Sequence, residues 1–209
     1  MGIVLKYFSD FTPTQLSQFT ALEALYKDWN SKINVVSRKD IDSLYEKHVL
    51  HSLSIAAISS FREGAHIIDI GTGGGFPGIP LAIFFPEVTF HLVDSIGKKL
   101  KVIDEVAASI GLTNITTQHT RAEDIKNRKF DYAISRAVAP LKDLWTWAAP
   151  LLKKKSLDQA LLNGLICLKG GDLAAEISDS GTKPRSMEVY DIFPEEFFRE
   201  KYILYVPIS

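Results

Sequence analysis

A short apolar run ends in aspartate and passes into a string of glycines at residues 69–78, DIGTGGGFPG. Glycine tolerates positive φ and lets a bound molecule approach the backbone, at an entropic cost that a plain turn seldom incurs so many times over. At the carboxyl end of the first strand of an open sheet, such a bare loop is where ligands bind. The spacing Gly73-x-Gly75-x-x-Gly78 also matches the dinucleotide fingerprint. Pro77 stands just before the last glycine, however, where a dinucleotide loop must lead into helix N–H groups that hold a pyrophosphate. No Gly-Lys-Ser/Thr ending follows, which excludes a P-loop.

Other residues fall where strand ends would gather them. Asp94 closes a second apolar run, and a carboxylate there can take both hydroxyls of a ribose, a demand shared by dinucleotides and S-adenosylmethionine. A charge at the start of the following helix is the alternative use. Arg121-Ala122-Glu123-Asp124 comes just after a third run, at the same pocket edge, where it can meet an adenine. Arg136 ends a fourth run, within Ser135-Arg136-Ala137-Val138-Ala139-Pro140, placed for a substrate phosphate or a cofactor carboxylate, or else for an ordinary ion pair. Lys169 ends a fifth run with the same geometry. His48 and His51 lie three apart with no evident third ligand, so no metal is expected. Cys167 sits inside an apolar run and reads as packing, and Trp145 and Trp147 read as core or surface.

The elements that must position these residues follow from hydrophobic spacing. Phe19, Leu22, Tyr26 and Trp29 recur at helical intervals, Thr12-Pro13 supplies a helix start, and residues 41–58 repeat the helical pattern. Beyond residue 66 the pattern changes. Runs at 66–70, 88–93, 115–118, 132–135 and 161–168 predict buried strands, alternating with helices over 78–85, 96–110 and 141–149. Such alternation predicts a doubly wound, mostly parallel α/β sheet with right-handed crossovers. Runs at 187–193 and 202–207 predict an antiparallel hairpin at the sheet edge, and 178–186 predicts a surface loop. An α/β sheet that finishes in an antiparallel pair is the Rossmann-like arrangement of class I methyltransferases, a step that leans on fold analogy.

Composition narrows the class. The chain has 209 residues, 46% hydrophobic and 23% charged, which suits one globular unit and excludes disorder or fibre. Residues 1–60 are expected to form a helical extension packed on a core of residues 61–209. With 24 lysines and arginines against 25 acidic residues, the chain is not built to coat nucleic acid, although basic clusters at 98–101, 126–129 and 153–155 leave room for a local patch. No apolar run reaches membrane-spanning length, and residues 1–10 lack the apolar core of a secretory leader. A lone cysteine agrees with a reducing compartment, so a cytoplasmic monomer with no membrane partner is expected.

Residues 69–82, DIGTGGGFPGIPLA, resemble the glycine-rich signature of the bacterial 16S rRNA guanine-N7 methyltransferases, the glucose-inhibited division protein B family. The resemblance continues through NVVS at 34–37, HVLHSL at 48–53, DSIGKK at 94–99, RAE at 121–123, SRA at 135–137 and LKG at 168–170, which covers nearly the whole chain. It implies a class I methyltransferase that carries the methyl of S-adenosylmethionine to N7 of one guanine in 16S rRNA of the small ribosomal subunit. By match of motif, Gly71, Gly73 and Phe76 would line the cofactor, Asp94 would bind its ribose, and Ala122 and Glu123 would flank its adenine. Arg136 would be the catalytic residue, set between cofactor and RNA; the basic cluster and the end of the fifth run, apart from the resemblance, make Lys98, Lys99 and Lys169 the candidates for RNA contact. The departure is His51, where the family usually carries aspartate.

The residues suit that chemistry. Guanine N7 is a free lone pair and needs no deprotonation, so no general base has to be found. The fourth run does not end in the Asp/Asn-Pro-Pro-aromatic stretch that holds an exocyclic amine, and Cys167 is no activated nucleophile for transfer to a pyrimidine C5. A methyltransferase for another substrate, a non-catalytic cofactor sensor and a nicotinamide or flavin oxidoreductase remain the alternatives.

Overall fold

The central strands carry apolar residues on both faces, so the sheet must be covered twice, and it is. The computed structural model describes residues 1–37, 39–156 and 161–208. Strands β1 (His66–Ile70), β2 (Thr89–Asp94), β3 (Ile115–His119), β4 (Tyr132–Arg136), β5 (Gly164–Gly170), β6 (Arg185–Glu188) and β7 (Lys201–Pro207) form one sheet ordered β3-β2-β1-β4-β5-β7-β6. The first five are parallel, and β7 runs antiparallel to both β5 and β6.

The period-2 alternation divides the core. Ile67, Phe90, Leu92, Ile134, Ile166 and Ile203 pack on one face with α4 (Gly78–Phe84) and α5 (Gly97–Ser109). Ile68, Ile70, Val93, Ala133, Cys167 and Leu204 pack on the other, with α6 (Leu141–Ala148) and α7 (Ala174–Ser180). The helices α1 (Gly2–Leu5), α2 (Pro13–Lys32) and α3 (His51–Ile58) join the first face, where Phe19, Leu22 and Tyr26 of α2 share a core with Ile79 and Leu81. The start signal at Thr12-Pro13 works as expected. Thr12 and Gln15 form a reciprocal capping box, and the Gln15 amide also donates to the carbonyls of Ile83 and Phe84, fastening α2 to the end of α4.

Several boundaries differ from the sequence reading, each for a tertiary reason. The stretch 41–58 is not one α-helix: a 3₁₀ turn at Ile41–Ser43 leads into a wide π-helical turn at Tyr45–Leu50 before α3. The fifth strand starts at Gly164, because the Leu161 and Leu162 carbonyls accept the hydroxyls of Tyr132 and Tyr205 and Asn163 bonds back to Lys153. Helix α7 occupies the first part of the expected loop at 178–186 and stops at Gly181, in the left-handed region that ends helices. The C-terminal pair is antiparallel as expected, but β6 is the edge and β7 inserts between it and β5. The run 187–193 leaves the sheet at Glu188 for a 3₁₀ turn at Val189–Asp191. Among the described residues no helix is long and apolar enough to cross a membrane.

Insertion of β7 makes its inward side chains core residues. Leu204→Ala, at a fully buried position, is expected to cost about 2–5 kcal/mol of stability, whereas Met187→Ala on the exposed face of β6 should stay within roughly 0.5 kcal/mol, both read by denaturant unfolding.

Candidate functional site

The glycine loop leaves β1 at the carboxyl edge of the sheet and is shaped by a carboxylate inside it. Asp69 is fully buried, and its Oδ2 accepts from the Thr72 hydroxyl at 2.7 Å and from the Gly78 amide at 2.9 Å, clasping both ends of the loop. The other oxygen, Oδ1, has no partner, and burial pushes the carboxyl up to about 7. Gly78 has to be glycine, since a Cβ there would lie 2.7 Å from Asp69 Oδ2. Gly71 turns at φ +67°, and a Cβ on it would strike Val138 Cγ1 at 2.6 Å. From behind, the Tyr26 hydroxyl of α2 donates to the Gly74 carbonyl at 2.5 Å. Because Gly78 gives its amide to Asp69, the first turn of α4 does not offer that amide to a pyrophosphate, which removes the dinucleotide alternative's main contact.

Asp94 ends β2 beside the loop. Its Oδ2 accepts from the Gly73 amide at 2.9 Å and its Oδ1 from the Ile96 amide at 2.8 Å, so both oxygens are oriented and each retains a lone pair. The 3₁₀ turn Ala122–Asp124 follows β3. Together Gly71, Asp94, Ala122 and Glu123 line a cleft partly open to solvent, whose apolar wall is completed by Ile70, Val93, Val138 and Trp147. Apolar surfaces flanked by the Asp94 and Glu123 carboxylates, the latter beside Arg121, offer what an adenosine needs: a slot for the base and acceptors for vicinal hydroxyls and an amine.

Beyond Val138 the site changes sign. Arg136, at the end of β4, does not line the cleft. It shares with His51, Ala137, Lys169, Gly170 and Lys201 an adjoining hollow at the ends of β4 and β5. Its guanidinium donates to His48 Nδ1 at 2.8 Å and to the Lys47 carbonyl at 3.2 Å, lies over the Phe76 ring, and makes no ion pair among the described residues. Burial lowers it to about 10, which leaves it charged near neutrality. Ala137 takes φ +49°, a left-handed conformation that costs a non-glycine residue about 1 kcal/mol or more. The bend puts Arg136 on the wall of the hollow and Val138, 44% exposed, on the wall of the cleft.

The expected site residues thus separate into groups. Gly71, Asp94, Ala122 and Glu123 meet at the cleft, with Gly73 tied in through Asp94. Phe76 sits behind the loop, only 3% exposed, against Tyr26 and His48, since its ring fills the gap between α2 and the π-helical turn. Lys169 faces the hollow but is 7% exposed and held by Glu176 at 2.6 Å and by the Ala139 carbonyl; the same Glu176 oxygen accepts from the Leu141 amide at 2.7 Å. Lys98 and Lys99 occupy the first turn of α5 and, with Lys101, carry no ion pair among the described residues. By contrast Lys126 and Lys129 bond backbone carbonyls, and Lys153 pairs with the buried Asp131 at 2.8 Å.

Sequence reasoning missed the site roles of Val138, Trp147 and Lys201, for which spacing carries no signal, and read Tyr26 only as a helix-face residue. Trp147, taken for core or surface, lines the cleft. Cys167 is a packing residue: burial pushes its thiol up to about 12, which removes it as a nucleophile. Among the described residues no cluster could hold a metal ion.

A sheet of this order, with a glycine turn after β1, a carboxylate ending β2 and an inserted antiparallel β7, defines a class I S-adenosylmethionine-dependent methyltransferase. Solved structures agree on the fold. An S-adenosylmethionine-dependent methyltransferase from Aquifex aeolicus superposes with a TM-score of 0.60 at 15% identity, over 83% of this chain and all of that one. A mutant of MtNAS in complex with S-adenosylmethionine gives a TM-score of 0.60 at 15% identity over 92% of this chain and 75% of its own. Sequence goes further. Residues 15–197 match the family described as rRNA small subunit methyltransferase G. Ribosomal RNA small subunit methyltransferase G of Bacteroides fragilis is 56% identical over 208 residues, all of both chains, and that of Cytophaga hutchinsonii is 52% identical over 207 residues, 99% of each. The chain belongs to the rRNA small subunit methyltransferase G family.

Two outcomes test the site's physics. Gly71→Ala, which adds strain and drives Val138 into the cleft, is expected to weaken binding of S-adenosylhomocysteine by about 10-fold or more in calorimetry. His51 is buried and lowered to about 3 by desolvation and then by the Arg136 charge. A depressed folded value means the unfolded chain binds the proton first, so its stabilisation is present above the ordinary histidine value and is lost as pH falls through it toward about 3. Between pH ~7.5 and ~5.5, His51→Leu should therefore lose less stability than the unaltered protein, by on the order of 1 kcal/mol.

Proposed function

We propose that this protein transfers the methyl group of S-adenosylmethionine to N7 of one guanine in 16S rRNA of the small ribosomal subunit. The observation that carries the reading is the junction at residues 136–138, where an adenosine-suited cleft meets a hollow in which Arg136 and Lys201 have no carboxylate partner among the described residues. A guanidinium out of bulk water with only neutral acceptors calls for an anion, and a polynucleotide supplies phosphates. That basic wall favours RNA over a neutral small substrate. The name shared by the relatives points to the small subunit, and the guanine N7 specificity rests on the motif resemblance together with the chemistry of the site.

The residues divide the work. Gly71 and Gly73 keep the loop bare, Asp94 offers its free lone pairs to ribose hydroxyls, and Ala122, Glu123 and Trp147 border the base slot. When bound, the cofactor supplies a sulfonium methyl. Arg136 and Lys201 then hold the nucleotide, with Lys98 and Lys99 as outer phosphate contacts, and positioning lets the N7 lone pair approach in line. No base is required, and His48 and His51, both lowered to about 3 by burial, remain neutral and take no proton from the substrate. Lys169, neutralised by Glu176, holds the hollow's wall in place.

Incubation of the purified protein with labelled S-adenosylmethionine and small subunits from cells lacking the activity should put label on guanine N7, and label absent from that atom overturns the reading. Asp94→Ala should weaken S-adenosylhomocysteine binding by about 10-fold or more, while Arg136→Ala should reduce kcat by roughly 10- to 100-fold. Cofactor binding without turnover on any subunit would favour a sensor instead.

A further inference from the structure

Arg136 reaches across from β4 to a part of the chain that the sheet does not need. Two of its five N–H donors are taken by the π-helical turn of the N-terminal region: one on Nη2 by His48 Nδ1 at 2.8 Å and one on Nη1 by the Lys47 carbonyl at 3.2 Å. The turn is built for this. In an α-helix the Lys47 carbonyl would accept from the amide of His51, but that amide bonds to the carbonyls of Glu46 and His48, so the Lys47 oxygen is turned over to the guanidinium. The ring of His48 lies 5.1 Å from that of Phe76, and Phe76 lies under the guanidinium at 5.2 Å. Three contacts, two polar and one a ring face, therefore fix one cation.

We infer that His48 is a positioning residue, which holds Arg136 toward the substrate hollow through its Nδ1 lone pair and so makes the N-terminal helices part of the transfer machinery. The inference rests on the reading of Arg136 proposed above.

Only a neutral imidazole can accept at Nδ1, and this bond places the single ring proton on Nε2. That atom is buried without a partner. Arg136 from β4, Lys47 on the same turn, Asp40 from the preceding segment and His51 one turn on are the charged or titratable groups around the ring. Burial and then the Arg136 charge lower His48 to about 3, so the acceptor persists through the neutral range. A lysine at position 136 could not make the same forked contact, because its ammonium is a point donor without a planar fork.

The test uses His48→Phe, which keeps a ring against Phe76 and removes the acceptor, assayed on small subunits with label read at guanine N7. We expect kcat to fall about 10- to 100-fold, with S-adenosylhomocysteine affinity within about 2-fold of the unaltered protein. In an Arg136→Ala background the same substitution should cost nothing further, because the two side chains act as one unit. Unchanged kcat, additive losses, or collapse of cofactor affinity would each overturn the inference. Should the variant not fold, ¹⁵N spectra of the unaltered protein decide: a neutral His48 protonated on Nε2 from pH ~7.5 down to ~5 is expected, and titration in the ordinary histidine range overturns it. Lack of methylation by the unaltered protein sinks the proposed function, whereas full methylation by both proteins sinks the positioning role alone.

Discussion

One buried carboxylate decides the shape of the whole site. Asp69 sits where β1 ends, out of reach of water, and spends one oxygen on the Thr72 hydroxyl and the Gly78 amide. Hydrogen bonds of this kind are worth about 1.5–3 kcal/mol when the acceptor is charged, and a deleted partner leaves a buried charge uncompensated. The clasp turns the loop back on itself, presents the Gly73 amide to Asp94, and thereby orients the carboxylate that ends β2. The fact that its carboxyl is raised to about 7 shows the cost of desolvation that these two bonds only partly offset.

The sheet order explains why cleft and hollow share a wall. Strand β1 is flanked by β2 on one side and β4 on the other, with crossovers to opposite faces, so the loops after β1, β2 and β3 open away from the loops after β4 and β5. The cleft takes its carboxylates from the first set and part of its apolar wall, Val138 and Trp147, from the segment after β4, while the basic hollow lies at the ends of β4 and β5. Between them lies a single bent segment, residues 136–138, and the left-handed Ala137 is what aims neighbouring side chains in opposite directions. Strain at such a point persists only where the surroundings over-determine it, here through the Ala137 amide bonded to the Leu168 carbonyl and the Ser135 hydroxyl bonded to the Ile70 carbonyl.

Charge is sorted locally and not in bulk, which is how a chain of net charge −1 can suit a polyanion. Lys169 and Glu176 cancel inside the wall, Lys153 answers Asp131 away from the site, and Lys126 and Lys129 face backbone oxygens. At the site itself, Arg136, Lys201 and the lysines of the first turn of α5 have no carboxylate partner among the described residues.

Residue type and spacing alone determined the elements whose demands are local. The helix start at Thr12-Pro13, the period-2 strands, the glycines that turn after Asp69 and the carboxylate at Asp94 could be read directly, because backbone conformation and the faces of an element are written within a few residues. Tertiary structure alone decided which side chains meet. Arg136 finds His48 from 88 positions away, Lys169 is neutralised by a helix that the sequence reading took partly for a loop, and Trp147 turns from an undistinguished aromatic into a cleft wall. A π-helical turn inside an otherwise regular helical pattern, and the insertion of the last strand between β5 and β6, arise from packing partners far along the chain. No window of neighbouring residues contains that information, since contact there is set by the closing of the sheet and not by the propensities of the segments that touch.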